Sequence, residues 1–411
     1  MDRPTVHIIG AGMAGLSAAV GLGQGPFDIV VHESARQAGG RCRSFFDESM
    51  NMTIDNGNHL LLSGNDSALA YAKKIGGAEK LAGPDEADFD FCDLEGGKRW
   101  RLRPNAGPLP WWILAPDRRV PGTAGLDYLA LVKLLFARRD QKLRPFLGTG
   151  DLARDLWDPL FVSALNTDPS EASAFLAGAI VRETFAKGGA ACRPLVAVEG
   201  LSAAFVDPAL AFLRARGAQV RFGAKLRGME FVGDRVAALD FEGEKIMLDA
   251  DDRVILAVTA TIAATLIPGL DAPNEFRAIV NAHFAFPAPK NLPLLTGVIG
   301  GATEWLFGFK DRLSVTISAA ERFLATPREE LAEKIWAEVQ AVVGFSAPLP
   351  VWQIIKEKRA TFAATPAQDR LRPGAATKWR NLRLAGDWTQ TGLPATIEGA
   401  IRSGVSAAKS R

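Results

Sequence analysis

Cysteine is scarce in these 411 residues: Cys42, Cys92 and Cys192 are odd in number and far apart. No metal-ligand spacing links them, which excludes a structural zinc site and a disulfide framework and predicts three free thiols. Tyrosine is scarcer still, 2 residues against 23 Phe and 9 Trp, and histidine occurs only 4 times. An excess of either charge is also missing. Lys and Arg total 48 and Asp and Glu 46, so a net charge of +2 removes the bulk electrostatic case for nucleic acid. No apolar run approaches the roughly 18–20 residues of a membrane-spanning helix. Yet the mean hydropathy, +0.06, is high for a soluble chain. Repeats and low-complexity tracts are absent, and 48% hydrophobic with 23% charged residues fits a globular chain of two or three domains. The first strand-like run, Thr5–Ile9, leaves no room ahead of it for a charged and then an apolar leader region. The expected location is therefore cytoplasmic, or peripheral on the cytoplasmic face of a membrane.

The most specific feature present is Gly10-Ala11-Gly12-Met13-Ala14-Gly15, placed after that strand and at the start of a helix from Met13 to about Gly23. Gly10 makes the tight turn, Gly12 lets a pyrophosphate approach the backbone, and Gly15 lets helix and strand pack closely. Free N–H groups and the positive dipole end at the helix start, around Ala14, then face the phosphates. A turn at 23–26 and a second strand, Asp28–His32, lead to Glu33. An acid at that place accepts hydrogen bonds from a ribose diol and repels a 2′-phosphate.

After Glu33 comes Arg36-Gln37-Ala38-Gly39-Gly40-Arg41, and then Asp55-Asn56-Gly57-Asn58-His59. This succession resembles the flavoprotein superfamily of monoamine oxidases, protoporphyrinogen oxidase and phytoene desaturases. The resemblance implies that Gly40 and Arg41 hold the FAD pyrophosphate and that Gly57 and Asn58 run past the isoalloxazine ring. Near the other end, Leu382–Trp388 and Thr396–Gly404 resemble the second FAD signature of the same superfamily. There Gly386 and Asp387 would reach the ribitol, and a helix beginning near Thr396 and Ile397 would point its N-terminus at the ring, favouring reduced flavin. Amine oxidases of this group carry an aromatic residue where this chain has Thr396, and a cysteine upstream where the flavin is covalent. Neither is present between Thr389 and Thr396, so noncovalent FAD is expected and an aromatic amine cage is not. A second GxGxxG is missing too, which argues against a dedicated NAD(P)H domain.

Signatures at both ends imply an α/β fold: a Rossmann-type FAD-binding domain (1–75, 196–260 and 370–411) with an inserted α+β substrate domain (76–195 and 261–369). Gly217–Leu226 is expected to return as strand and turn, bringing the backbone at Leu226 to the adenine, and Arg253–Val258 as a buried parallel strand. In the inserted part, Leu294–Gly300, Glu304–Lys310 and Leu313–Ser318 predict an antiparallel meander of sheet. The alternation in Leu313–Ser318 suggests a half-buried strand. A helix should follow, with Thr326 and Glu329 forming a capping box, Pro327 at its first position, and Leu331, Ile335, Val339 and Val342 on one face.

Within the superfamily the chain resembles the squalene-associated branch, the hydroxysqualene dehydroxylases of bacterial hopanoid synthesis. The resemblance rests on Trp157 through Asn166-Thr167, Ile279–Phe284, Gly386-Asp387-Trp388 and Leu393–Ala400. It implies a long isoprenoid substrate, loss of its allylic hydroxyl with hydride from reduced FAD, and a reductant the sequence does not identify. The excess of Phe and Trp over Tyr suits a dry isoprenoid wall with no hydroxyl to leave unpaired. A proton donor is needed, and His59 and His283 are the candidates, with Asn281 and Asn166 either binding the hydroxyl or a water or serving turns and backbone. His7 and His32 read as structural, and no metal is expected. An oxidative desaturase or amine oxidase, and a non-catalytic flavin or prenyl-lipid carrier, are the alternatives.

One segment breaks the charge balance. Between Lys98 and Arg144 there are 11 basic and 3 acidic residues, +8 locally and −6 elsewhere, around Pro108–Leu114 and Leu126–Phe136. Tryptophan beside basic residues on a short apolar element is the profile of a peripheral membrane contact; a helix with a solvated basic face is the alternative.

Overall fold

The computed structural model describes residues 3–23 and 25–409. A five-stranded parallel sheet runs in the order Gln219–Phe222, Asp28–Glu33, Thr5–Ile9, Arg253–Leu256, Leu382–Leu384. Its three central strands are rich in Val and Ile and mostly buried, because helices cover both faces, as parallel sheets require. Helices Met13–Leu22 and Ile397–Lys409 pack on one another, so the two ends of the chain share one core. A separate antiparallel sheet, Leu226–Val232, Arg235–Phe241 and Glu244–Met247, follows the returning strand.

The inserted part is built on a seven-stranded sheet. Its order is Trp352–Phe362, Phe276–Phe284, Leu313–Ile317, Trp305–Gly308, Leu295–Ile299, Phe89–Asp93, Arg99–Leu102. The meander is therefore the middle of a larger sheet, and its strand Leu295–Ile299 pairs in parallel with Phe89–Asp93. Strand Leu313–Ile317 is buried on both faces. One face lies with Leu331, Ile335 and Val339 of helix Arg328–Val343 in a common core. On the other, the alternating polar residues are buried with partners: Ser314 Oγ lies 2.8 Å from His283 Nδ1, and Thr316 Oγ1 donates to Asn281 Oδ1 at 2.8 Å. Polar alternation here marks a second buried face whose hydrogen bonds are met internally. The capping box is also absent. Pro327, at φ −53°, is the cap residue and no side chain caps the helix, while the Thr326 carbonyl accepts from Lys356.

Leu61–Leu62, Pro194–Ala197 and Leu81–Ala82 form a small ribbon. It joins residues on both sides of the breaks expected at 75/76 and 195/196, so the chain passes between the two large sheets as paired strands.

Candidate active site between the two sheets

A cavity of about 700 Å³ lies between the two large sheets, lined from both ends of the sequence and from the middle. Its nucleotide end is built by backbone. Gly10, at φ +105°, has no room for a Cβ, which would fall 2.5 Å from the Ala257 carbonyl oxygen. A Cβ on Gly15 would fall 1.9 Å from the Gly10 oxygen. Gly12 differs: a Cβ there would meet nothing within 4 Å, and the residue lines the cavity. That is the arrangement a pyrophosphate needs, with a tight turn beneath and open space above the helix start. Glu33 is fixed at the end of its strand by Ala11 N–H and Ala35 N–H, each donating at 2.8 Å.

Arg41 donates to the Ala360 carbonyl at 2.5 Å and pairs with Asp387 at 2.8 Å. Asp387 raises the guanidinium further above its ordinary range, so the arginine is a fixed cation. Behind it, Arg372 donates to the carbonyls of Asp387 and Thr389 and to Thr391 Oγ1, and pairs with Asp369 at 3.0 Å. Thr396 Oγ1 accepts from Gly399 N–H at 3.0 Å at the start of helix Ile397–Lys409. Glu398, on the first turn of that helix, accepts from Ser67 and Ala68 N–H and pairs with Arg402 at 2.9 Å. It thereby caps the start of helix Asp66–Ile75.

Gly10, Gly12, Ala14, Glu33, Gly40, Arg41, Gly57, Asn58, Leu226, Gly386, Asp387, Thr396 and Ile397 all line the cavity. Gly15 does not; it supports the turn from behind.

The loop Asp55–His59 is clamped from the seven-stranded sheet. Asn281 Oδ1 accepts from Asn58 N–H at 3.3 Å and its Nδ2 donates to the Asn56 carbonyl at 3.5 Å. A Cβ on Gly57 would lie 2.9 Å from that same Nδ2. Asn281 is therefore engaged in positioning the loop, the backbone role that stands in the sequence as the alternative to binding a hydroxyl. Asn166 is engaged as well, donating to Thr361 Oγ1 at 2.9 Å and accepting from Ala319 N–H at 2.6 Å. His283 is fully buried and does not line the cavity. Its neighbour Gln353 is tied to Asp47 of the hairpin Ser44–Asp55 at 2.7 Å, and that hairpin closes this end of the sheet. Burial pushes the His283 ring down to about 3, and its place outside the cavity removes it as a donor to a cavity ligand. His59 does line the cavity; burial and then Arg41 push it down to about 4, so its ring is neutral near pH 7. His7 and His32 stack at 5.3 Å within the parallel sheet.

Sequence reasoning missed Arg372 and Glu357. Glu357 lines the cavity, with Asn56 Nδ2 3.5 Å from its carboxylate. Neither stands in a recognisable motif, and only the fold brings them to the site.

Cross-strand register lays one continuous row over the seven-stranded sheet: Ile355, Asn281, Thr316, Trp305, Gly297, Phe91, Trp100. Asn281, Thr316, Trp305 and Phe91 line the cavity from this row, joined by Phe89, Phe307 and Leu102. The cavity face is thus polar beside the Asp55–His59 loop and aromatic away from it.

A dinucleotide cradle, a polar loop and an aromatic chamber in one cavity define a flavoprotein oxidoreductase, and the residues present fit FAD. The chain belongs to the flavin containing amine oxidoreductase family, whose pattern matches residues 13–410, and within it to the hydroxysqualene dehydroxylases. It is 56% identical to hydroxysqualene dehydroxylase of Rhodopseudomonas palustris, over 98% of this chain and 97% of the relative. Identity to the Sinorhizobium fredii enzyme of that name is 53%, over 98% and 97%. An oxidoreductase from Methanosarcina mazei shares the fold at a TM-score of 0.71 and 15% identity, over 98% of this chain and 99% of that one.

Proposed function

We propose that this chain converts hydroxysqualene to squalene by reductive dehydroxylation. The observation that carries the reading is the cavity wall just described, polar at the Asp55–His59 loop that Asn281 and Thr316 hold in place and aromatic from Trp305 to Phe91. A carbinol carbon belongs at the first end and a prenyl arm along the second. Reduced FAD, when bound, supplies a hydride to carbon. The C–O bond breaks, the oxygen takes one proton and leaves as water, and the carbon keeps the hydride. His59 is the cavity-lining histidine that we assign to the leaving oxygen. With its pKa lowered to about 4 the ring is neutral near pH 7, so it hydrogen-bonds that oxygen through a ring N–H while the proton is drawn from solvent. Trp305, Phe307 and Phe91 exclude water, and their π faces favour positive charge developing on the allylic carbon. The flavin must be reduced again by a donor outside this chain.

Dithionite-reduced protein mixed anaerobically with hydroxysqualene should reoxidise its flavin and yield one squalene per flavin. A flavin that stays reduced, with no squalene formed, would overturn the reading. His59→Ala should lower the single-turnover rate by at least about 100-fold with FAD content unchanged; a normal rate removes His59 from the step.

We further propose a peripheral membrane contact on the segment from Lys98 to Arg144. Leu109, Trp111, Leu114, Leu126, Leu129, Val132 and Phe136 are between 46% and 80% exposed, an unusual density of large apolar side chains. The basic residues contribute less than their count suggests. Arg101 pairs with Asp88 and Asp90, Arg139 with Asp369 and Arg144 with Asp158, all acids outside the segment. Insertion of apolar side chains therefore supports the contact more than net charge does. Among the described residues, no helix is long and apolar enough to cross a membrane. Sedimentation with phospholipid vesicles should persist at high salt, and Leu126→Glu with Phe136→Glu should release the protein to the supernatant. Release of the unaltered protein by salt alone would count against apolar insertion.

A further inference from the structure

Gly297 is the one gap in the row of side chains across the seven-stranded sheet, and Phe91 fills it. A Cβ on Gly297 would lie 2.5 and 2.6 Å from two carbons of the Phe91 ring, so the ring rests directly on the glycine backbone of the neighbouring strand. Two tryptophans hold it there. Trp100 stacks on it at 5.5 Å and 2° between planes, and Trp305 meets it edge-on at 5.8 Å and 64°. Phe91 is buried yet lines the cavity, so the face it shows to the cavity is fixed by what lies beneath it. At about 4.8 Å per strand, Gly297 lies roughly 14 Å across the sheet from Asn281.

We propose that the Gly297–Phe91 pair sets the length of prenyl arm that the cavity accepts. The proposal rests on the isoprenoid reading above. With glycine at 297 the ring lies flat and the chamber keeps its depth. Any side chain there lifts the ring into the cavity, because the two tryptophans block its escape along the sheet. Removing the ring opens space over the glycine.

The test uses FAD-loaded, oxidised protein and three probes that share the carbinol centre of hydroxysqualene. They carry two geranyl, two farnesyl or two geranylgeranyl arms. Dissociation constants are read by titration, without turnover. Wild type should bind the farnesyl probe tightest. Phe91→Ala should shift the ratio of affinities toward the geranylgeranyl probe by roughly tenfold or more, and Gly297→Val should shift it toward the geranyl probe by a similar factor. Ratios within twofold of wild type in Phe91→Ala overturn the proposal. Phe91→Ala adds no atom, so it decides the question even where Gly297→Val fails to fold. Single-turnover reduction of the probes is measured in parallel. If wild type binds the probes in the expected order but reduces none, the reaction assignment falls and the length gauge stands. If wild type reduces the farnesyl probe while Phe91→Ala leaves the ratios unmoved, the gauge falls and the reaction stands.

Discussion

A Gly12→Glu protein is expected to purify folded and colourless. Gly12 has φ −76° and ψ −177°, an extended conformation open to any residue, and its Cβ would meet no protein atom within 4 Å. A glutamate is therefore tolerated by the chain alone. Its carboxylate would occupy the space above the start of helix Met13–Leu22, where a pyrophosphate lies if FAD binds as assigned. Lost space and like-charge repulsion together should weaken FAD binding by at least about 100-fold, near 3 kcal/mol. Gly15→Ala should behave in the opposite way. Its Cβ would sit 1.9 Å from the Gly10 oxygen, a backbone atom held by the sheet, so strand and helix must separate. We expect a loss of folding stability of about 2–3 kcal/mol, of the size that overpacking produces. Reconstitution with FAD, followed by absorbance near 450 nm, and urea denaturation of the two apoproteins separate the outcomes. A Gly12→Glu protein that retains yellow colour at wild-type stoichiometry would move the pyrophosphate elsewhere.

The contrast between these two glycines shows what a sequence can reveal. Gly10, Gly12 and Gly15 are legible because their roles follow from local geometry: a turn, an approach and a packing contact within six residues. Glu33 is legible because it ends the second strand, whereas Arg41 and Asp387 are reached only through the resemblance of Gly39–Arg41 and Leu382–Trp388 to the flavoprotein signatures. The chemistry at the other side of the cavity is not local. The sequence leaves Asn281 between a hydroxyl ligand and a backbone role, and only cross-strand register puts it against Asn56 and Asn58, more than 220 positions away. His283 stands behind His59 as a candidate in the sequence, and only the fold shows that it is buried outside the cavity. Leu313–Ile317 alternates like a half-exposed strand, because periodicity reports which residues share a face and not what covers that face. The local charge of +8 on residues 98–144 was real in the sequence, but its partners Asp88, Asp158 and Asp369 lie outside that window.

Arg372 is the strongest case of a residue visible only in the fold, and replacing it should have the largest effect on stability. Its side chain is fully buried, with Asp369 beside it at 3% exposure and the Phe362 ring 4.8 Å away. Arg372→Met removes the cation and leaves the Asp369 carboxylate buried. Arg139, 3.7 Å from its other oxygen, is the remaining positive neighbour. Breaking one side of such a pair typically costs about 3–5 kcal/mol, because the surviving charge is uncompensated. Removing both charges is a different change. Arg372→Met with Asp369→Leu should recover much of that loss, since an apolar pair avoids the desolvation cost of two ions. Recovery of stability should not restore the site. The carbonyls of Asp387 and Thr389 lose their donor in both proteins, and Asp387 is the residue that meets Arg41 at the cavity. The double variant should therefore fold nearly as well as wild type in urea while binding FAD at least about tenfold more weakly, a difference near 1.4 kcal/mol. Wild-type FAD affinity in the double variant would reduce Arg372 to an ordinary buried ion pair. Weak binding in a stable protein would make it the residue that positions the second FAD signature.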